Sequence, residues 1–352
     1  MYIKKSILED INSFTIVNEF IYVVKEKNSI YKVFNADNIF IYRHNEWLQH
    51  IKSYKDIIFT TDFYSNGIII NRNEISKLDG CYVYEFLNEK DFLVAHDYKT
   101  HKYNISNELK EFIWEERISI YLVKNDCIYA RINEVVKCFS LNEHHLYWEY
   151  DIKGIGRYIP FLGKEEREGE VMSFIGIYKG VLVVLLKGGK FISLDEATGK
   201  LLWEKNKVDN TYSHQNKSFD FGDPYYPHFD EQKGIIYMLQ GEAFILFDLN
   251  TMIATYEWNS IDLPADDYIF VIQSILYKNQ IYFVGWNKKS LGSSNTIGIF
   301  DISTRKAIWQ YTFDFEKDNF IPTGKEQIQV NDTHLYVLDW KNQLHIFERT
   351  EN

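Results

Sequence analysis

Proline and cysteine are scarce in this chain, at five and three residues, and several other features are missing altogether. Cys81, Cys127 and Cys138 form an odd, scattered set without CxxC spacing, which excludes a disulfide framework and a cysteine-built zinc site. Cys127 and Cys138 fall in strand-like runs, where a thiol serves as a small core hydrophobe. No run approaches the roughly 18 uncharged apolar residues of a membrane helix, and no segment keeps a 3.6-residue apolar stripe, so few helices are expected. Met1 to Ser13 carries Lys4 and Lys5, then Glu9 and Asp10, with no apolar h-region, so no signal peptide is predicted. With the unpaired cysteines, this points to a reducing cytoplasm. Walker and GxGxxG phosphate loops are absent.

Positive charge is also in short supply. The 39 Lys and Arg face 50 Asp and Glu, and the net charge of −11 is spread along the chain with no acidic tail. Attraction to nucleic acid phosphates or to an anionic membrane surface is not expected, and a basic protein would be steered towards the molecule.

What is abundant is aromatic. Tyr, Phe and Trp make up 17% of the residues, an excess that favours half-buried pleated surfaces. They recur in register. Phe191-Ile192-Ser193-Leu194-Asp195 leads through Thr198 and Gly199 to Trp203, and Ile299-Phe300-Asp301 leads through Thr304 to Trp309. Asp248, Thr251 and Tyr256 repeat the spacing, and Ser140 to Trp148 and Ser106 to Trp114 keep it without the Asp. The carboxylate at the strand end accepts hydrogen bonds from the turn backbone, and Gly supplies a positive φ for the reversal. The large aromatic on the next strand must be buried against a neighbouring unit, because a lone hairpin is only marginally stable.

Ahead of each unit lies a further apolar strand. The eight are Phe20–Val24, Ile57–Thr61, Phe92–Ala95, Cys127–Ala130, Val181–Leu185, Ile235–Met238, Ile281–Val284 and His334–Leu338. Their separation of roughly 35 to 55 residues matches four-stranded blades. The prediction is one all-β domain over residues 1–352, a β-propeller of four-stranded antiparallel blades. Eight blades are favoured and seven are the alternative, because Glu46 to Leu78 is poorly patterned. The unit from Gln327 to Phe347 has three strands, so Met1 to Ile7 is expected to supply the fourth and close the ring.

The Asp-x-x-Thr-Gly-x-x-x-Trp unit at Asp195 to Trp203 resembles the tryptophan-docking repeat of the quinoprotein (PQQ-like) β-propellers, strongly over residues 118–350, moderately over 80–116 and faintly before that. The resemblance implies an eight-bladed fold. It does not imply the family's alcohol dehydrogenase activity, since the vicinal cysteine pair of those longer, exported enzymes has no counterpart here, and no cofactor is expected. The family also includes an outer-membrane assembly lipoprotein, but no N-terminal lipidation cysteine is present. One fold hosts many functions.

Candidate sites then divide into patterned and irregular. Trp114, Trp148, Trp203 and Trp309 are too regularly spaced for a ligand platform and are expected to wedge between blades. His144 and His145 occupy a turn and would face opposite ways on a strand, so no metal site is assigned. The irregular segments are Asp151–Glu170, Asn206–Tyr226, Asn259–Asp267 and Asp314–Gly324 between blades, with Asn287–Asn295 inside one. Alternation of strand direction places all five on one face, and long ordered loops usually carry function. Aromatic anchors in a polar rim mark an interface. The expected binding residues are therefore Tyr158, Tyr212, Phe221, Tyr225 and Tyr226, with an acidic rim of Glu165, Glu166, Asp223, Asp262, Asp266 and Asp267. The expected function is a non-enzymatic scaffold that captures a protein, basic by charge, with a toxin-neutralising immunity protein as one specific form. The alternative is a carbohydrate-active or degenerate quinone-type propeller enzyme.

Overall fold

The computed structural model describes the chain apart from residues 19, 35–36, 63, 65, 72–73, 117, 119, 160–164, 210–220, 222–225, 242, 259–268, 288–292, 316–317, 325 and 351–352, and apart from the side chains of 34, 37–38, 240, 258 and 287. The described residues hold no helix and form eight four-stranded antiparallel sheets. Strand β1 (Tyr2–Leu8) comes first. Blade 1 follows with β2 (Ile11–Val17), β3 (Phe20–Lys25), β4 (Ser29–Phe34) and β5 (Asp37–Arg43). Blade 2 has β6 (Leu48–Tyr54), β7 (Ile57–Asp62), β8 (Gly67–Asn71) and β9 (Glu74–Leu78). Blade 3 has β10 (Cys81–Phe86), β11 (Asp91–His96), β12 (Lys99–Asn104) and β13 (Leu109–Trp114). Blade 4 has β14 (Tyr121–Lys124), β15 (Cys127–Ile132), β16 (Val135–Ser140) and β17 (Leu146–Asp151). Blade 5 has β18 (Val171–Tyr178), β19 (Val181–Leu186), β20 (Lys190–Asp195) and β21 (Leu201–Lys205). Blade 6 has β22 (His228–Asp230), β23 (Ile235–Gln240), β24 (Ala243–Asp248) and β25 (Ile253–Trp258). Blade 7 has β26 (Ile269–Tyr277), β27 (Gln280–Asn287), β28 (Thr296–Asp301) and β29 (Lys306–Thr312). Blade 8 has β30 (Ile328–Val330), β31 (His334–Leu338) and β32 (Leu344–Arg349), and takes β1 as its fourth strand, Tyr2 pairing with Arg349 and Leu8 with Leu344.

Each of the eight apolar runs read from the sequence is the second strand of a blade, and Leu48–Leu78 forms a sheet of its own. That resolves the blade number at eight. The chain divides into two compact units. The first comprises Met1–Asp97, Tyr103–Glu108 and Asn259–Asn352, and the second comprises Tyr98–Lys102 and Leu109–Trp258. Second strands read as unbroken apolar runs because blades are covered on both faces. Five residues of β19 are fully buried, whereas fourth strands alternate, as in β21.

Turn chemistry accounts for the third-to-fourth strand reversals. The Asp195 carboxylate accepts from the Thr198 N–H at 2.8 Å and its hydroxyl at 2.6 Å, and Asp301 accepts from the Thr304 N–H at 2.8 Å. Where Asp is missing, Ser140 Oγ accepts from the Glu143 N–H at 2.9 Å. In blade 3 the capping residue is Asn104, whose side chain accepts from the Ser106 N–H at 3.0 Å. The turn there begins two residues earlier than the Ser106-to-Trp114 spacing suggests. The fifth turn residue is left-handed throughout: Glu108, His144, Gly199, Met252 and Arg305 have φ of 55°, 56°, 71°, 60° and 56°. Only one of the five is glycine.

The repeat tryptophans do wedge between blades. Within the second unit, Trp148 Nε1 donates to the Glu196 carbonyl at 2.9 Å across the blade 4–5 junction, and Trp203 meets Phe247 of blade 6 with ring centroids 5.7 Å apart. Trp114 meets Phe139 at 4.6 Å. In the first unit, Trp309 packs between Tyr2 at 5.5 Å and Phe347 at 5.8 Å. Cys127 and Cys138, far apart in any motif sense, lie on paired strands with their thiols in hydrogen-bond reach, and burial pushes both thiols up. All three cysteines are free.

Candidate interaction surface

In a four-stranded meander the turn from second to third strand and the exit from the fourth strand share one end of the sheet. Here the two are laced together by backbone hydrogen bonds. The His44 and Leu48 N–H groups donate to Asn28 and Lys27 carbonyls, Ile11 N–H to Asn342, and Trp340 N–H to Phe320. Gly80 N–H donates to the Asn66 side chain at 2.7 Å. This end of blades 1, 2 and 8 is therefore a fixed platform rather than a fringe of loose turns.

Across the first unit the platform carries aromatic side chains in the open. Trp340 is 60% exposed, Tyr64 65%, Trp47 58% and Phe270 38%. Trp340 lies parallel to Phe320, with centroids 5.2 Å and planes 14° apart, and Phe270 stacks on Trp286 at 5.3 Å. Lys27 Nζ sits 3.9 Å over the Trp47 ring. A tight turn gives an aromatic no pleated face on which to be buried, so the Tyr64 and Trp340 rings are surface by construction.

Beneath Trp340 the turn is held by a buried polar network. The Asp339 carboxylate accepts from Asn319 Nδ2 and His345 Nε2, both at 2.9 Å, and from the Gln343 N–H at 2.9 Å. Burial alone would raise the Asp339 carboxyl, but these bonds hold it below the usual carboxylate range. A second carboxylate, Asp62, accepts from His44 Nε2 at 3.0 Å and from the Tyr64 and Asn66 N–H groups, which fixes the turn bearing Tyr64. His50 on the first strand of blade 2 meets Glu326, just ahead of the first strand of blade 8, with Nδ1 2.8 Å from the carboxylate, a bond that raises the imidazole and lowers the carboxyl. Glu9, Asp10, Glu46, Asp79, Asp97, Asp314 and Asp318 are exposed at the same end of their blades. Lys27, Arg43 and Lys341 are there too, but Arg43 is paired to Glu26 at 2.6 Å and the carboxylates outnumber the cations, so the balance is acidic.

The residues expected from the sequence fall partly elsewhere. In the second unit, Tyr158 and Arg167 exchange backbone hydrogen bonds in an antiparallel bridge. Tyr158 donates to Glu170 at 3.3 Å, and Glu170 also accepts from Lys187 at 2.7 Å. Glu165 and Glu166 are exposed, with Arg157 3.5 Å from Glu166. Tyr226 is half-buried, and burial raises its hydroxyl. Phe221 corrects the expectation. It is 4% exposed and packs edge-on to Phe191 at 5.0 Å, because it fills the blade 5–6 core and is unavailable to a partner. Tyr212, Asp223, Tyr225, Asp262, Asp266 and Asp267 lie outside the described residues. Sequence reading missed Trp47, Tyr64, Phe270 and Trp340; for Tyr64 and Trp340 the available signal was an aromatic inside a short turn between two apolar strands, whereas Trp47 lies in the link between two blades and Phe270 near the start of a strand. Among the described residues, no three His, Cys, Asp or Glu side chains cluster as metal ligands. His144 and His145 instead approach different carboxylates, Glu111 and Glu143.

No protein-family model matches the chain, and no curated protein does. Solved structures do. The C-terminal WD40 domain of Sif2 aligns over 100% of this chain and 99% of its own at 9% identity and a TM-score of 0.70. The computationally designed Ika8 protein aligns over 97% and 96% at 9% identity and a TM-score of 0.62. BamB from Moraxella catarrhalis aligns over 100% and 99% at 7% identity and a TM-score of 0.55. Identities this low carry the fold alone: the chain is an all-β, eight-bladed propeller.

Proposed function

We propose that this propeller is a non-enzymatic scaffold that captures a protein through the turn-bearing end of the blades of its first unit. The observation that carries the reading is the Phe320–Trp340 stack, a large apolar surface left 60% open at Trp340 although the turn beneath it is rigidly hydrogen-bonded. Rigid aromatic anchors lose little entropy on binding and dominate interface energetics. The surrounding carboxylates favour a basic partner, since charge complementarity speeds encounter and rejects acidic competitors. A cytoplasmic immunity protein that neutralises a basic toxin is one partner relationship of this kind. A likeness to quinoprotein-type propellers is supported by the docked tryptophans and by the fold shared with BamB, and it leaves the partner open.

The test is affinity capture from the source organism's lysate, with wild type beside a variant carrying Trp340→Ala, Trp47→Ala and Tyr64→Ala. All three side chains are exposed, so the variant is expected to keep its thermal midpoint. One stoichiometric protein held by wild type and lost by the variant supports the reading. Equal capture by both, or capture of nothing specific by either, refutes it.

A further inference from the structure

The opposite ends of blades 1 and 2 enclose a groove of about 320 Å³, at the lower edge of the roughly 300–1,000 Å³ that small ligands occupy. Its floor is Val17, Ile58 and Ile70, which belong to the core between the two blades. On one wall Lys32 lies directly opposite Tyr22 in the strand register, its ammonium 3.4 Å from the centre of the Phe20 ring. Among the described residues, that ammonium has no carboxylate or hydrogen-bond partner, and the Tyr22 hydroxyl has no hydrogen bond. Burial, then the nearby Asp56 charge, raises the Tyr22 hydroxyl, so it stays protonated and able to donate. On the other wall Asp56 accepts from Asn18 Nδ2 at 3.0 Å and keeps acceptor capacity to spare.

The comparable groove between blades 5 and 6 in the second unit differs in the decisive respect. It measures about 300 Å³, but its lysine, Lys179, is satisfied by Asn250 Oδ1 at 2.8 Å, and Tyr178 donates to the same oxygen at 2.7 Å. Half-buried cations are ordinarily paired. The blade 1–2 groove presents, on one side, a cation held over the Phe20 and Tyr22 rings with no anionic partner among the described residues, together with a hydroxyl donor, and it has an anion on the other side and an apolar floor between.

We propose that this groove binds an apolar α-amino acid as its zwitterion, the carboxylate on Lys32 and Tyr22, the ammonium on Asp56, and the side chain on Val17, Ile58 and Ile70. A simple carboxylic acid would leave Asp56 facing like charge, and a simple amine would leave Lys32 doing so. The zwitterion matches both. The site lies at the far end of the strands from the aromatic turns, so it stands independently of the scaffold reading.

Isothermal titration of the full chain with L-leucine and L-phenylalanine tests this, with leucinamide and 4-methylpentanoate as probes lacking one charge each. Saturable binding of either amino acid is expected in the micromolar to about millimolar range, weakened at least ~10-fold for both single-charge probes and for Lys32→Met and Asp56→Asn. The wild-type panel is informative even if a variant fails to fold. No saturable heat with either amino acid up to about 10 mM, or equal affinity for leucine and 4-methylpentanoate, overturns the proposal. So does unchanged leucine binding by both folded variants.

Discussion

Gly199 is the one glycine among the five left-handed turn residues, and the reason is Trp148. A Cβ at position 199 would lie 2.4 Å from Trp148 Cε3 and 2.6 Å from Cδ2. The ring is 8% exposed and tethered to the Glu196 carbonyl, so it has little room to retreat. Gly199→Ala therefore has two costs. Holding an alanine at φ 71° costs about 1–2 kcal/mol. Displacing the ring forfeits part of a wedge whose complete removal would cost about 3–5 kcal/mol, and a partial shift takes roughly 1–2 kcal/mol of it. The single substitution should thus destabilise by about 2–4 kcal/mol, but by only about 1–2 kcal/mol in a Trp148→Ala background, where no ring remains to be struck. Urea unfolding of wild type, both single variants and the double variant, followed by far-UV circular dichroism, measures the coupling. Additivity within about 0.5 kcal/mol would mean that glycine is present for its φ alone, and the docking argument would fall.

Two further outcomes follow from the same geometry. Glu108 occupies the equivalent turn position of blade 3 at φ 55° and is exposed, so Glu108→Gly should raise stability by about 0.5–1 kcal/mol in the same urea assay; a loss would count against strain at this turn position. Asp339 has a folded-state pKa below its unfolded value of about 3.9, so its stabilisation is present above that pH and is lost as pH falls through the folded pKa. Asp339→Asn should lower stability at neutral pH and flatten the decline below about pH 4. An acid limb of unchanged slope would remove Asp339 from the network's energetics.

Much of the fold was legible because blade packing forces local patterns. A second strand covered on both faces must be apolar through its middle, which is why Val181–Leu185 and Ile281–Val284 stand out in the sequence. Blade 2 was harder to read. Its fourth strand, Glu-Ile-Ser-Lys-Leu, exposes three of its five residues and carries no aromatic wedge, so nothing in it announces a blade. The candidate surface was the least legible part. Among 25 Phe, 26 Tyr and 8 Trp, a ring left open in a turn has the same letter as a ring buried in the core. Phe221, packed on Phe191 in the blade 5–6 core, and Trp340, open on its turn, illustrate the two outcomes.

The pairing of β1 with β32 has a consequence for synthesis. Tyr2–Leu8 leaves the ribosome ahead of every other strand of the propeller, yet its hydrogen-bonding partner is Leu344–Arg349, so the strand must wait through translation of all seven intervening blades. Closing so long a loop is costly and slow, and an unpaired edge strand is open meanwhile to copies on neighbouring nascent chains. Lys4 and Lys5 sit in the middle of that strand. In the folded protein Lys5 reaches Glu348 at 2.6 Å, whereas on two waiting β1 strands the same lysines repel, so the final strand is guarded against every partner except its own.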